Sequence, residues 1–209
     1  MASSDATAAL ADCQDREKLT QLLSTLLEPS AALRDLLVPS VLERLSATSA
    51  PPASYGTLVD MCADAAKQWT YEQKADFVSG HPMIGEVKNL SAHSAKEQSS
   101  QPTRPIVLER LAHLNQVFNT VFPGLRFITF VNGRPRNVIV NEMETSIGLA
   151  VSPDPLPESF AASEPAVDSD VIQQLVRAQD SVQWKAECDR AVADVWRIAH
   201  ARLGAMGLN

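Results

Sequence analysis

The sequence predicts an all-α fold, a single-domain bundle of about seven to eight helices with one Pro-rich insertion. Leucines and other apolar residues recur at spacings of three and four along most of the chain, the period that lines one face of a helix. Proline, glycine and capping residues punctuate these stretches at helical lengths. Only residues 125–131 have strand character, and one short strand has no partner with which to make a sheet. A length of 209 residues with 45% hydrophobic content suits one domain with a sizeable core.

Residues 1–15, small and polar at their start, read as a flexible leader, and residues 16–205 as the helical domain. Leu19, Leu22, Leu23, Leu26 and Leu27 then form an apolar stripe that Pro29 ends. A second, short helix carries Leu33, Leu36 and Leu37, and after Pro39 a third is expected, capped by Ser40 and carrying Leu42 and Leu45. Residues 46–52, rich in Ser, Thr, Ala and Pro, read as a loop.

Tyr55, Leu58, Val59, Cys62, Ala66 and Trp69 make the clearest stripe of the N-terminal half. Thr70 and Gln73 have capping-box spacing, so a new helix starts there and stops at Gly80. Residues 105–122 place Val107, Leu111, Leu114, Phe118 and Val121 on one side, and Pro123-Gly124 ends that helix. Residues 125–131 are then a buried connector, extended or partly helical, followed by the turn signal Asn132-Gly133. Residues 148–169, with four prolines among acidic and small residues, read as an exposed, mobile insertion. A final helix over about 170–203 is broken near Asp180-Ser181. Its Cys188, Val195 and Arg202 are seven apart and share the apolar side, while Arg190 and Arg197 are expected in solvent.

A net charge of −7 and no Lys/Arg cluster longer than a pair argue against nucleic acid, whose phosphates need a basic surface. No apolar run approaches a bilayer-spanning length, so no membrane association is expected. Cys13, Cys62 and Cys188 are dispersed and odd in number, which suits a reducing compartment and forms no metal-ligand pattern. With neither a signal segment nor a C-terminal peroxisomal address, a cytoplasmic location is the default. Dinucleotide, phosphate-loop, α/β-hydrolase and zincin motifs do not occur, so any catalysis is expected to need no cofactor and no metal.

With four histidines in the chain, each one is a candidate acid or base. His81 follows the helix-ending Gly80, so it either caps carbonyls there or acts as a general acid near neutrality. Ser94 and Glu97 repeat the capping-box spacing, and with His93 and Gln98 they form the densest polar group. His113 and His200 read as surface or partly buried helix residues. Arg202, aimed along an apolar stripe, must reach a carboxylate, a carbonyl or water, because burying it unpaired is costly.

His81-Pro82-x-Ile84-Gly85, Ser94-x-x-Glu97-Gln98, Leu114-Asn115-x-x-Phe118, an aromatic-rich stretch over 122–131, and Ile198-Ala199-x-x-Arg202-Leu203 follow one another in this order. In that order the chain resembles the 2-oxo-4-hydroxy-4-carboxy-5-ureidoimidazoline (OHCU) decarboxylases, over roughly residues 16–147 and 182–205. The resemblance implies cofactor-independent decarboxylation of OHCU to (S)-allantoin in urate degradation. It assigns His81, Glu97 and Arg202 to catalysis. Pro82, Ser94, Gln98 and the segment Phe127, Ile128, Thr129, Phe130 and Val131 are assigned to substrate binding, and a homodimer is implied. Two other readings remain open from the residues: a helical interaction module that has lost catalysis, and a decarboxylase of a related ureide or hydantoin.

Overall fold

The computed structural model describes residues 9–48, 51–86, 91, 93 and 103–208. Among these residues the chain is all helical, with eight α-helices and no strand. It divides into two compact units, residues 1–81 with 195–209, and residues 82–194. The described residues contain no helix long and apolar enough to cross a membrane.

The first unit begins with α1 (Arg16–Leu27), whose N-cap Asp15 accepts from the amides of Glu17 and Lys18. Its five stripe leucines are all buried, and burying each fully is worth about 1.5–3 kcal/mol. The expected leader is anchored from residue 10: Leu10–Asp12 form a 3-10 turn, and the apolar Cys13 is fully buried.

Ser30 caps the next helix by accepting from the Leu33 amide at 3.0 Å. The expected break at Pro39 does not occur. A π turn over Leu33–Leu37 runs directly into α2 (Val38–Ser46), and the Val38 amide reaches back five residues to the Leu33 carbonyl. Proline has no amide to continue an α ladder, and the widened turn just before Pro39 accommodates it. Ser40 therefore lies inside a helix and is no cap. Ser54 starts α3 (Tyr55–Ala66) through the Thr57 amide. The Thr70–Gln73 capping box starts α4 (Tyr71–Ser79) as expected, with both reciprocal bonds formed, at 3.0 and 3.3 Å.

In the second unit, α5 (Pro105–Val121) packs on α6 (Arg136–Ile147) and on the short α7 (Asp170–Leu175). The connector 125–131 has no regular secondary structure, with Leu125, Phe127, Ile128 and Thr129 buried. The last helix, α8 (Val182–Met206), starts after the expected break, and Ser181 Oγ accepts from the Trp184 amide. Its residues up to Asp194 belong to the second unit, and those from Val195 to the first.

The segment 148–169 is not simply exposed. Ser152, Leu156 and Ala162 are buried, Arg110 donates to the carbonyls of Ala162 and Glu164, and Arg104 donates to that of Leu156. Arg110 also meets the Glu144 carboxylate at 2.7 Å, with the two side chains 3% and 0% exposed. The Ser152 amide donates to the other carboxylate oxygen, Oε2, and the Ser152 hydroxyl to the oxygen that Arg110 binds, Oε1. A composition poor in large apolar residues is thus held by side chains of α5 and α6 that supply hydrogen bonds in place of a core.

His113 of α5 donates to the Pro165 carbonyl at 3.0 Å. Burial, opposed in part by that bond, lowers its pKa from the ordinary 6.5. The unfolded chain therefore binds the proton more readily, so the stability from neutral His113 is present above about pH 6.5 and lost as pH falls below it. His113→Gln, which keeps a donor for Pro165, is expected to flatten the dependence of thermal midpoint on pH in that acidic window. An unchanged slope would remove His113 as its cause.

Candidate active site

His81 sits just beyond the end of α4, where its amide bonds the Val78 carbonyl and its side chain is 2% exposed. The Phe77 ring meets His81 edge-on at 6.4 Å and stacks on Trp196 of α8 at 5.3 Å. The imidazole is thus set by an aromatic layer within the first unit.

Gly80, the C-cap of α4, has ordinary helical φ of −67°. Its importance is steric: a Cβ there would lie 2.7 Å from Ser30 Cβ. Gly80→Ala is expected to destabilise by about 1–3 kcal/mol, as overpacking does, and to displace His81. A thermal midpoint equal to that of the unaltered protein would refute this close contact.

Arg202 is 2% exposed, as its place on the apolar stripe of α8 requires. Its partner is Glu28, which ends α1: Nη2 lies 2.9 Å from Glu28 Oε1. Nη1 faces the Leu26 and Thr25 carbonyls at 3.2 and 3.4 Å. Glu28 is 4% exposed and was not legible as a site residue, since nothing in its spacing marks it. The only hint was that an Arg on a buried stripe needs a carboxylate somewhere. Residues 28–30 thus hold Arg202 through Glu28 and lie, through Ser30, against Gly80, the residue before His81.

Pro82 follows in the second unit, half-buried. There Asn115 of α5 donates to the Ile84 carbonyl at 2.9 Å. Ser94, Glu97 and Gln98 lie outside the described residues.

The segment Phe127, Ile128, Thr129, Phe130 and Val131 is braced by two arginines. Arg190 donates to the Ile128 carbonyl at 2.9 Å, and its guanidinium lies 4.9 Å from the centre of the Phe127 ring. Arg134 donates to the carbonyls of Phe130 and Val131 and to Thr129 Oγ1, while Thr129 donates to Glu142. Arg190 was expected in solvent; instead it pairs with Glu187 and Asp194. Burial works against its charge, but the Glu187 hydrogen bond and the charges of Glu187, Asp194 and Glu142 hold its pKa above the usual guanidinium value. A groove of about 950 Å³ in this unit is lined by Phe127, Arg134, Glu142, Glu187 and Arg190 among others. An irregular segment whose Ile128, Phe130 and Val131 carbonyls are all engaged keeps its shape, which a backbone binding surface requires.

Two of the remaining histidines serve other contacts. His113 holds Pro165, His200 pairs with Asp60 at 3.1 Å, and His93 is half-buried. The three cysteines are buried, and burial pushes the Cys62 thiol pKa up, which suits packing and disfavours a nucleophile. Among the described residues no group of three or more His, Cys, Asp or Glu could hold a metal ion.

In comparisons with known proteins, no curated protein and no solved structure matches the chain. The OHCU decarboxylase family model matches residues 12–154, a span that contains His81 and the segment 127–131 and ends before Arg202. Because that match takes in well over half of the 209 residues, the chain belongs to the OHCU decarboxylase family.

Proposed function

We propose that this protein decarboxylates OHCU to (S)-allantoin and CO2, with His81 as the general acid that protonates the new carbanionic carbon. Membership of the family carries the coarser statement, a carboxy-lyase of urate degradation. The observation that supports the finer one is that two buried polar side chains, His81 and Arg202, belong to one unit, in which Arg202 pairs with Glu28 and Ser30 lies against Gly80, the residue before His81.

Breaking the carbon–carboxylate bond leaves an electron pair on the ring carbon. In OHCU the adjacent conjugated imine and carbonyl accept that pair, so the substrate is its own electron sink. The protein then has to orient the ring, stabilise the developing charge and deliver one proton to one face. His81 suits the proton delivery, because a ring set by Phe77 and the end of α4 presents its nitrogen in a defined direction.

Arg202 suits the charge, as a donor to carbonyl or carboxylate oxygens. It must not hold the departing carboxylate too well, because ground-state binding alone does not speed the step. By the family pattern, Glu97 and Gln98 would orient the ring and ureido groups, Ser94 would add a hydroxyl contact, and the backbone of 127–131 would hold the ring.

The test is turnover of freshly prepared OHCU, followed by circular dichroism. The expected result is (S)-allantoin formed well above the buffer rate. Product no faster than in buffer, or lacking a preferred hand, would sink the reading.

A further inference from the structure

We propose that Glu28 is a positioning residue of this site, holding the Arg202 guanidinium in one orientation and offsetting its charge. The proposal rests on the reading above, in which Arg202 faces the substrate. Glu28 has φ 62° and ψ 146°, a region that only glycine adopts without strain. It is also 4% exposed, and its partner 2%.

Strain and desolvation both oppose this arrangement, and a buried ion pair is weak evidence of stabilisation. A glycine would adopt this backbone freely, and an apolar residue would fill the space without a buried charge. What neither supplies is the carboxylate, 2.9 Å from Arg202 Nη2.

That carboxylate has two consequences. Nη1 is directed at the Thr25 and Leu26 carbonyls, so residues 25–28 hold both terminal nitrogens and stop the guanidinium plane from turning. A donor fixed before reaction costs no reorganisation as charge develops. The adjacent negative charge also weakens the grip of Arg202 on the substrate carboxylate, which limits ground-state binding. Because Ser30 packs against Gly80, beside His81, the same turn ties the arginine's position to that of the histidine.

The test compares kcat and KM for OHCU in the full-length protein and in Glu28→Gln, Glu28→Gly, Arg202→Gln and Glu28→Gln/Arg202→Gln. Glu28→Gln keeps the shape and loses the charge, and Glu28→Gly relieves the backbone and guards against a misfolded first variant. Both are expected to lose about 10- to 100-fold in kcat per folded molecule, the scale of a misplaced catalytic group, with KM not raised. The double variant is expected to be no slower than Arg202→Gln alone, as for residues acting as a unit.

A merely structural Glu28 would shift the thermal midpoint and leave kcat per folded molecule unchanged, which would overturn the proposal. So would a double variant slowed by the full product of the single effects. An unaltered protein with no turnover would overturn the proposed function, and this inference with it; that outcome is separable because it is read before any variant.

Discussion

Replacing His81 with asparagine is expected to lower kcat for OHCU by about 10²–10⁴-fold, the usual contribution of a positioned general acid, while the chain stays folded. Asparagine keeps a hydrogen-bonding group at a position that is 2% exposed. It cannot donate a proton near neutrality. The aromatic layer of Trp69, Phe77 and Trp196 does not depend on the imidazole and should preserve the end of α4.

The measurement is steady-state turnover beside a thermal melt. Activity within threefold of the unaltered protein would remove His81 from the chemistry. A protonated donor also requires turnover to fall on the alkaline side, so a flat profile through pH 9 would count against that role even if the variant were slow.

The second large effect concerns stability. Glu144→Leu is expected to destabilise the protein by about 3–5 kcal/mol, because it leaves the charge of Arg110 buried and unpaired. For a chain of this size that lowers the thermal midpoint by about 6–20 °C. The carboxylate meets Arg110 at 2.7 and 2.9 Å and receives the Ser152 amide at 2.6 Å, so one substitution strands groups on α5 and in the following segment.

The paired substitution Arg110→Met/Glu144→Leu is expected to recover part of the loss, since no charge is then left buried. Recovery stays incomplete because the Ala162 and Glu164 carbonyls lose their donor, at about 1–3 kcal/mol for each group left buried and unsatisfied. Urea unfolding of the three proteins checks the order. A Glu144→Leu midpoint equal to that of the unaltered protein would show that the pair adds no stability.

Legibility followed the range of the interaction concerned. Local signals served well where a side chain answers to its own backbone. The capping box at Thr70 and Gln73 and the end of α4 at Gly80 were both readable, and both form. Pro39 does not break the helix as its sequence suggests, because its effect depends on the turn before it, and a π turn lets the helix continue. Helix α6 is not legible in the sequence, because residues 138–140 are consecutive β-branched residues of weak helix propensity. Packing of Ile139, Val140, Met143 and Ile147 decides the matter there.

The same boundary runs through the candidate site. Sequence order alone brought out His81, the polar group at 94–98 and Arg202, and the heptad spacing placed Arg202 on the buried side of its helix. It named no carboxylate for that arginine, since Glu28 lies far away in the chain at a helix end of unremarkable composition. Nor did it foresee Arg190 and Arg134 bracing 127–131, or α5 and α6 tethering 148–169.

By itself, then, the sequence determined the helical class, most helix ends and the family. These follow from periodicity, caps and short motifs, which act over one or two turns of chain. The tertiary structure alone decided which charges are buried together and which backbone is strained to bring them there. A buried charge takes whichever partner the fold delivers within about 3–4 Å, and no local pattern records that choice.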